Sequence, residues 1–331
     1  QNENYANIIN QANLKKVFNP NVIEGAFNKS FKIGTILNKK GLIQSLNRLS
    51  SVGATSQLRR INTTGDMIMI GQRKLHSTQY GIICPVETPD GGNIGIKKHL
   101  SIMGQITFGC SSKPIIEVLK EYNTIMLTEL EPEEIYGNTK IIINGRWIGI
   151  HFNPKELVML LKLLRRNGLI NVYTSIAWNI HENEISILTD GGRCLRPLYV
   201  VENNNILLNE EIIKKLESKE INWENIIAGF KSKKSKFNFF DCKYYCPFDE
   251  NFSKTELIQD LVKHQGICEY IDADEANTIF ISNNFKFDLK NNLFTHAEIH
   301  PSMIMGSVGF TIPYANHSQA PRNVYGTGQA K

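Results

Sequence analysis

TKIIINGRWIGI, residues 139 to 150, constrains the fold more than any other stretch. Two apolar runs flank Asn144-Gly145, the pair that most readily supplies two consecutive positive φ angles. The stretch therefore predicts a β-hairpin closed by a type I′ turn. Asn153-Pro154 then opens a helix, with Asn as the cap and Pro at the first helical position. Leu157, Val158, Leu160, Leu161 and Leu164 form its apolar stripe, and Gly168 ends it. SIAWNIHENEISIL, residues 175 to 188, predicts a second hairpin. Residues 113–203 thus read as a small unit of hairpins and one helix.

A chain of 331 residues is long enough for two to four such units. GLIQSLNRLS, residues 41–50, places Leu42, Ile43, Leu46 and Leu49 on one helical face. SVGATSQLRRINTTGD, which follows, reads as a loop of small residues carrying Arg59 and Arg60. Residues 66–110 mix short strands and turns. Residues 206–225 predict a helix and an amphipathic stretch around Trp223, and 254–265 a further helix. KSKKSKFNFF, residues 231–240, reads as an exposed basic loop. The expected class is mixed α/β of the α+β kind. It is multidomain, with several small α+β units with hairpins and no parallel doubly wound sheet.

Composition excludes little. The hydrophobic fraction is 41%, the charged fraction 21% and the net charge +5, a basic excess too small to identify a polyanion partner. No run of eighteen apolar residues predicts a membrane span. The polar start QNENYANIINQ lacks an initiator Met and does not read as a secretion signal. Both ends look cut, so a piece of a longer chain is expected. Six cysteines, mostly scattered, fit a reduced intracellular protein that is not secreted.

The densest chemistry begins at HSTQYGIICPVETPDGGNIG, residues 76–95. Pro85 and Pro89 fix φ, while Gly91, Gly92 and Gly95 allow conformations closed to other residues. Two readings stand side by side: a pair of tight turns, or a rigid loop presenting N–H groups near phosphate. No Gly-Lys-Ser/Thr follows and no G-x-G-x-x-G opens a helix, so a Walker loop or a Rossmann fingerprint is excluded. Arg59, Arg60, Arg73, Lys74 and His76 are either solvated groups or grips on a nucleic-acid backbone, since a guanidinium fork matches phosphate oxygens. Cys242, Cys246, His264 and Cys268 have a spacing that a tetrahedral zinc site tolerates, but lie among aromatic and aliphatic residues where Cys serves as a small hydrophobe. Asp272, Asp274 and Glu275 lack EF-hand spacing and read as a solvated acidic turn. Finally, Asn316, His317, Gln319, Arg322, Asn323 and Tyr325 crowd around Pro321. Such polar density is expensive beside a buried element unless hydrogen bonds or a ligand satisfy it.

These segments together resemble a family. Residues 76–95 resemble the H-x-T-x-[YW]-G-x-x-C-P-x-E-T-P-[DE]-G-x-x-x-G motif of the second-largest, β-type subunit of multisubunit DNA-directed RNA polymerases. NRLSSVGATSQLRRIN resembles that family's fork segment, TDGGRCLRPL its Thr-Asp-x-Gly-Arg-x-x-Arg-Pro, and EYIDADEAN its Tyr-[IL]-Asp-x-x-Glu stretch. EIHPSMIMGSVGFTIPYANHSQAPRNVY resembles the start of the hybrid-binding domain in its eukaryotic, archaeal and large-DNA-virus form. GTGQAK departs from the usual run after Tyr325.

The resemblance implies four regions: fork-like at 1–112, external at 113–203, second external at 204–293, and the start of the hybrid-binding domain at 294–331. It implies template-directed nucleotidyl transfer as a subunit of an assembly, the piece being inactive alone. No catalytic residue lies in the chain. Arg322 matches an Arg that contacts the incoming nucleotide's phosphates, and Tyr325 a Tyr near the RNA 3′ end. Arg59, Arg60, Arg73 and His76 match the fork region beside the nucleic acid. Cys84, Pro85, Glu87, Thr88, Pro89, Gly91 and Gly95 are expected to build the supporting loop. Mg²⁺ would be held mainly by the largest subunit, and no zinc is expected in this segment. The implied partners are the largest subunit, smaller assembly subunits, template DNA, the transcript and nucleoside triphosphates, with no membrane. The place implied is the nucleus, or a viral factory or virion. The rival reading is a non-catalytic nucleic-acid-binding or zinc-stabilised scaffold.

Overall fold

The computed structural model describes residues 14, 18–31, 35–36, 39–40, 43–62, 70–230, 254–283 and 293–331. They form two compact units. The first combines the described parts of Gln1–Lys74 with Val86–His99 and Ile312–Lys331; the second combines Leu75–Pro85 with the described parts of Leu100–Thr311.

In the first unit, α1 (Pro20–Ser30) starts where sequence chemistry favours it. Pro20 occupies the first turn, and the Asn19 side chain accepts from the Asn21 N–H at 3.1 Å. The helix expected at 41–50 is not there. Residues 41 and 42 lie outside the described residues, and 43–50 form no helix. The helix is α2 (Ser51–Leu58), within the stretch read as a loop. Side-chain hydrogen bonds decide the boundary. Ser50 Oγ accepts from the Gly53 N–H at 2.9 Å, and the Gln57 amide spans back to the Asn47 N–H and Ser45 carbonyl at 2.7 and 2.9 Å. The supposed stripe has no core to face: Leu49 is 87% exposed. After α2, β1 (Arg60–Asn62) pairs antiparallel with β2 (Lys97–His99), setting Arg60 opposite His99.

The second unit holds two sheets. It opens with β3 (Gln105–Ile106) and α3 (Lys113–Glu121), followed by β4 (Ile125–Met126). Next come the hairpin β5 (Thr139–Ile143) and β6 (Arg146–His151), then α4 (Pro154–Arg166). The second hairpin is β7 (Ser175–Asn179) and β8 (Glu184–Leu188). Both hairpins stand as the sequence predicts, and the first turn has positive φ at Asn144 (48°) and Gly145 (77°). The five strands lie in the order β4-β6-β5-β8-β7, with β8 joining the two hairpins by a parallel pairing to β5. α3 and α4 pack their apolar faces on this sheet. Val118, Leu119, Leu157, Leu161 and Leu164 share one core with Ile141, Ile176, Ile185 and Ile187.

The second sheet is organised around β9 (Cys194–Glu202). Its partners include β10 (Asn205–Ile206), β11 (Cys268–Asp272) and β3, all antiparallel to it. α5 (Glu210–Glu217), α6 (Trp223–Ala228) and α7 (Lys254–His264) follow β10, and the turn α8 (Ala273–Ala276) follows β11. β12 (Ile281–Ser282) runs parallel to β13 (His296–Ala297), which pairs with β9. The architecture is α+β with mixed sheets and hairpins. No helix among the described residues is long and apolar enough to cross a membrane.

Candidate functional site

The first unit builds its site on residues 86–99. Thr88 Oγ1 accepts from the Gly95 N–H at 2.8 Å and donates to the Lys97 carbonyl at 3.0 Å, closing the loop on itself. Gly95 has φ +75°, and a Cβ there would stand 2.4 Å from the Arg73 carbonyl oxygen, so both conformation and space require glycine. Arg73 turns its guanidinium inward: Nη1 donates to the Gly92 carbonyl at 2.6 Å and the Ile94 carbonyl at 3.1 Å. Pro89 and Gly91 lie in the same loop. Cys84 and Pro85 belong to the second unit, as does His76. The His76 Nδ1 accepts from the Thr78 N–H at 3.3 Å and caps a short turn.

Below the loop lies a buried polar knot. Glu87, Ser56 and His99 are all sealed from solvent. The Ser56 hydroxyl donates to Glu87 Oε1 at 2.8 Å, which leaves its oxygen free to accept from His99 Nδ1 at 3.2 Å. The Lys331 ammonium donates to His99 Nε2 at 3.2 Å and pairs with Glu87 Oε1 at 3.1 Å. These roles assign the neutral imidazole with its proton on Nδ1. The His99 pKa is pushed down to about 4. Burial is the largest cause, opposed by Glu87 and reinforced by Lys331 and Arg60.

The helix Ala320–Gln329 meets this floor within the same unit. Thr327 is buried and its hydroxyl lies 3.4 Å from the Val86 carbonyl, while the buried Asn323 amide donates to the Ala315 carbonyl at 2.8 Å. The neighbouring Asp90 carboxylate raises the Tyr325 pKa, with Arg322 acting the other way. Just past the helix, the Lys331 carbonyl accepts from Ser50 Oγ at 2.8 Å. Arg322 is exposed. The first unit therefore gathers Arg59, Arg60, Arg73, Glu87, Thr88, Pro89, Gly91, Gly95, Arg322 and Tyr325.

A second constellation, in the second unit, was not singled out from sequence. Arg165, on α4, is buried, and its guanidinium donates to both oxygens of Glu275 at 2.7 and 2.9 Å, to Glu269 at 2.5 Å and to the Thr174 carbonyl at 2.7 Å. Arg166 pairs with Glu269 and Glu202, and Lys162 with Glu275. Burial opposes charge on Arg165, but Glu275 and Glu269 outweigh it and raise its pKa. Burial likewise opposes charge on Glu269, and Arg166 and Arg165 pull that carboxyl well below its usual range. The turn read as solvated is thus corrected. Asp272 and Glu275 are buried; Asp272 caps α8 by accepting from the Glu275 N–H at 2.9 Å and pairs with Arg193 at 2.9 Å. Only Asp274 of the three is exposed. TDGGRCLRPL and EYIDADEAN, noted separately, are neighbouring strands, with Arg196 opposite Ile271.

Cys242 and Cys246 lie outside the described residues. His264 Nδ1 stands 3.0 Å from the Asp260 carbonyl oxygen. Cys268 is buried in β11, where burial first and Glu269 second push its thiol up to about 12. Among the described residues, no three His, Cys, Asp or Glu side chains converge to hold a metal ion.

Comparison with known proteins follows the same segments. Residues 44–106 match the family model "RNA polymerase Rpb2, domain 3", and residues 141–202 match "RNA polymerase Rpb2, domain 4". The chain is 34% identical over 303 residues to the DNA-directed RNA polymerase II subunit RPB2 of Encephalitozoon cuniculi, covering 88% of this chain and 23% of that protein. It is 33% identical over 308 residues to DNA-directed RNA polymerase II subunit 2 of Arabidopsis thaliana, with the same coverage of each. It is 29% identical over 323 residues to DNA-directed RNA polymerase subunit 2 of Acanthamoeba polyphaga mimivirus, covering 94% of this chain and 26% of that protein. The chain spans about a quarter of the length of these relatives. On both family models and on relatives aligned over most of its length, the chain belongs to the family of second-largest subunits of multisubunit DNA-directed RNA polymerases.

Proposed function

We propose that this chain acts inside an RNA polymerase assembly, where its first unit presents Arg322 and Tyr325 to the incoming nucleoside triphosphate and the transcript's growing end. The observation that carries this reading is the packing of the Ala320–Gln329 helix on the 86–99 loop, where the buried Thr327 hydroxyl comes 3.4 Å from the Val86 carbonyl and the Tyr325 phenol feels the Asp90 carboxylate. The helix is held from below, while Arg322 keeps its planar fork in solvent, suited to phosphate oxygens. Arg59 and Arg60 serve the nucleic-acid backbone from the end of α2. Arg73 acts by holding the glycine loop in shape, its Nη1 donating to two loop carbonyls. His76 is assigned to the same fork neighbourhood.

The four-region organisation, 1–112, 113–203, 204–293 and 294–331, belongs to this proposal. So do the partners: a largest subunit, smaller assembly subunits, template DNA, RNA and nucleoside triphosphates, working within the nucleus or a viral factory. Metal ions supply charge neutralisation and nucleophile activation in nucleotidyl transfer. The family resemblance assigns Mg²⁺ mainly to the largest subunit. This chain's own contribution is positioning and electrostatic complementarity toward phosphate.

Arg322→Ala in the assembled polymerase tests the reading. Loss of one bidentate phosphate contact should lower kcat/KM for nucleotides by about tenfold or more, with subunit assembly intact. Unchanged nucleotide use would overturn it.

A further inference from the structure

We infer that His99 is a positioning residue: its neutral imidazole, oriented by Ser56, holds the Lys331 ammonium against Glu87 and so fixes the seat of the helix that carries Arg322 and Tyr325. The inference rests on the polymerase reading above and adds a residue with which no motif of the sequence was credited.

One arrangement of protons satisfies every group, His99 Nδ1 lying 3.3 Å from Glu87 Oε1 as well as beside Ser56. Ser56 has a single proton, and it goes to Glu87 Oε1 at 2.8 Å. His99 Nδ1 must then donate to Ser56 Oγ, and Nε2 is left as an acceptor facing Lys331 at 3.2 Å. Lys331 Nζ is a donor only, so beside its pair with Glu87 Oε1 at 3.1 Å it can bond this ring only while Nε2 carries no proton. A protonated His99 would set two cationic donors face to face at that distance, with Arg60 of the paired strand adding a third positive charge nearby. The groups facing His99 are therefore Ser56 of α2, Glu87 of the loop, Arg60 of β1 and Lys331 beyond the last helix. Burial keeps the ring neutral far below physiological pH, so the acceptor is constant where a polymerase works.

Lys331 is also where the helix is tied by its backbone. Its carbonyl accepts from Ser50 Oγ at 2.8 Å, the same hydroxyl that caps α2. A Cβ on Gly53 would stand 3.0 Å from that carbonyl oxygen, so the approach leaves no slack. One turn of α2, the knot and the end of the Arg322 helix thus form a continuous chain of contacts within the first unit.

The test compares His99→Leu and His99→Gln in the assembled polymerase. Leu removes the acceptor; the Gln amide oxygen restores one without a titrating group. Lys331 exposure is read by amine acetylation and mass spectrometry at pH 7.5, and nucleotide use by KM and kcat. His99→Leu should raise Lys331 modification several-fold and raise KM for nucleotides about three- to tenfold with kcat less affected, while His99→Gln returns both toward wild type. Unchanged Lys331 modification in His99→Leu overturns the inference. So does raised modification with unchanged KM, when Arg322→Ala in parallel does raise KM. If neither His99→Leu nor Arg322→Ala moves KM, the proposed nucleotide contact of Arg322 has itself failed and the positioning role falls with it. Should His99→Leu not assemble, Lys331→Met with His99 in place takes over: a raised KM supports the inference and an unchanged one overturns it.

Discussion

At the scale of the residue, Arg165 shows how much a single side chain can bind together. Four hydrogen bonds from its guanidinium reach Glu275, Glu269 and the Thr174 carbonyl, while its Nε is buried with no hydrogen-bond partner among the described residues. A buried ion pair of this kind adds little over a well-packed apolar substitute, but removing one partner strands the others. Arg165→Ala is therefore expected to destabilise the second unit by about 3–5 kcal/mol, as typical of broken buried pairs. Urea denaturation with an unchanged slope would measure it. A loss under about 1 kcal/mol would show that Lys162 and Arg166 compensate the two glutamates without it. The position was half legible. Leu157, Val158, Leu161 and Leu164 define an interior stripe that continues at Arg165, yet a basic residue in the last turn also reads as a complement to the helix dipole. Its partners lie 104 and 110 residues away, which no local pattern reveals.

At the scale of the element, legibility followed the range of the forces that decide each boundary. The Asn144-Gly145 and Asn153-Pro154 signals are local backbone chemistry, and the hairpin and α4 stand where those signals place them, although the Asn153 side chain makes no capping hydrogen bond and Pro154 alone marks the start. The helix expected at 41–50 failed because periodicity there competed with a cap whose partners are side chains several residues apart. α2 itself is built of small residues, Gly53 and Ser56 being its buried positions, so no apolar stripe announces it. Its existence depends on Ser50, which both caps α2 and donates to the Lys331 carbonyl. Ser50→Ala should cost about 1–2 kcal/mol, the range for a lost cap, and should loosen the Ala320–Gln329 helix along with α2. Hydrogen exchange would show it as paired loss of protection in residues 51–58 and 320–329. Loss confined to α2 would mean that the Ser50–Lys331 bond contributes nothing to the second helix.

At the scale of the whole molecule, the buried histidines and carboxylates set how the chain answers acid. His99 in the first unit and His296 in the second are both held neutral, burial being the largest cause in each. His99 titrates near 4 in the folded state against an ordinary value of 6.5. Between those limits the unfolded chain takes up a proton that the folded chain refuses, so stability falls as pH drops from about 6.5 and levels off below about 4. Glu269 works in the same direction but lower. Its folded pKa lies well below 4.5, so its ion pairs stabilise fully above that value and the stability is lost as pH falls beneath it. Calorimetry of wild type should therefore show Tm declining in two stages on acidification, the upper one due to the histidines and the lower one to Glu269. His99→Gln should flatten the upper stage only in the transition that belongs to the first unit, and His296→Gln only in that of the second. An upper stage left at full slope in both variants would mean that neither buried ring takes part. The Ser56–His99–Lys331 geometry would then have to be reread with a charged imidazole, which cannot accept from an ammonium.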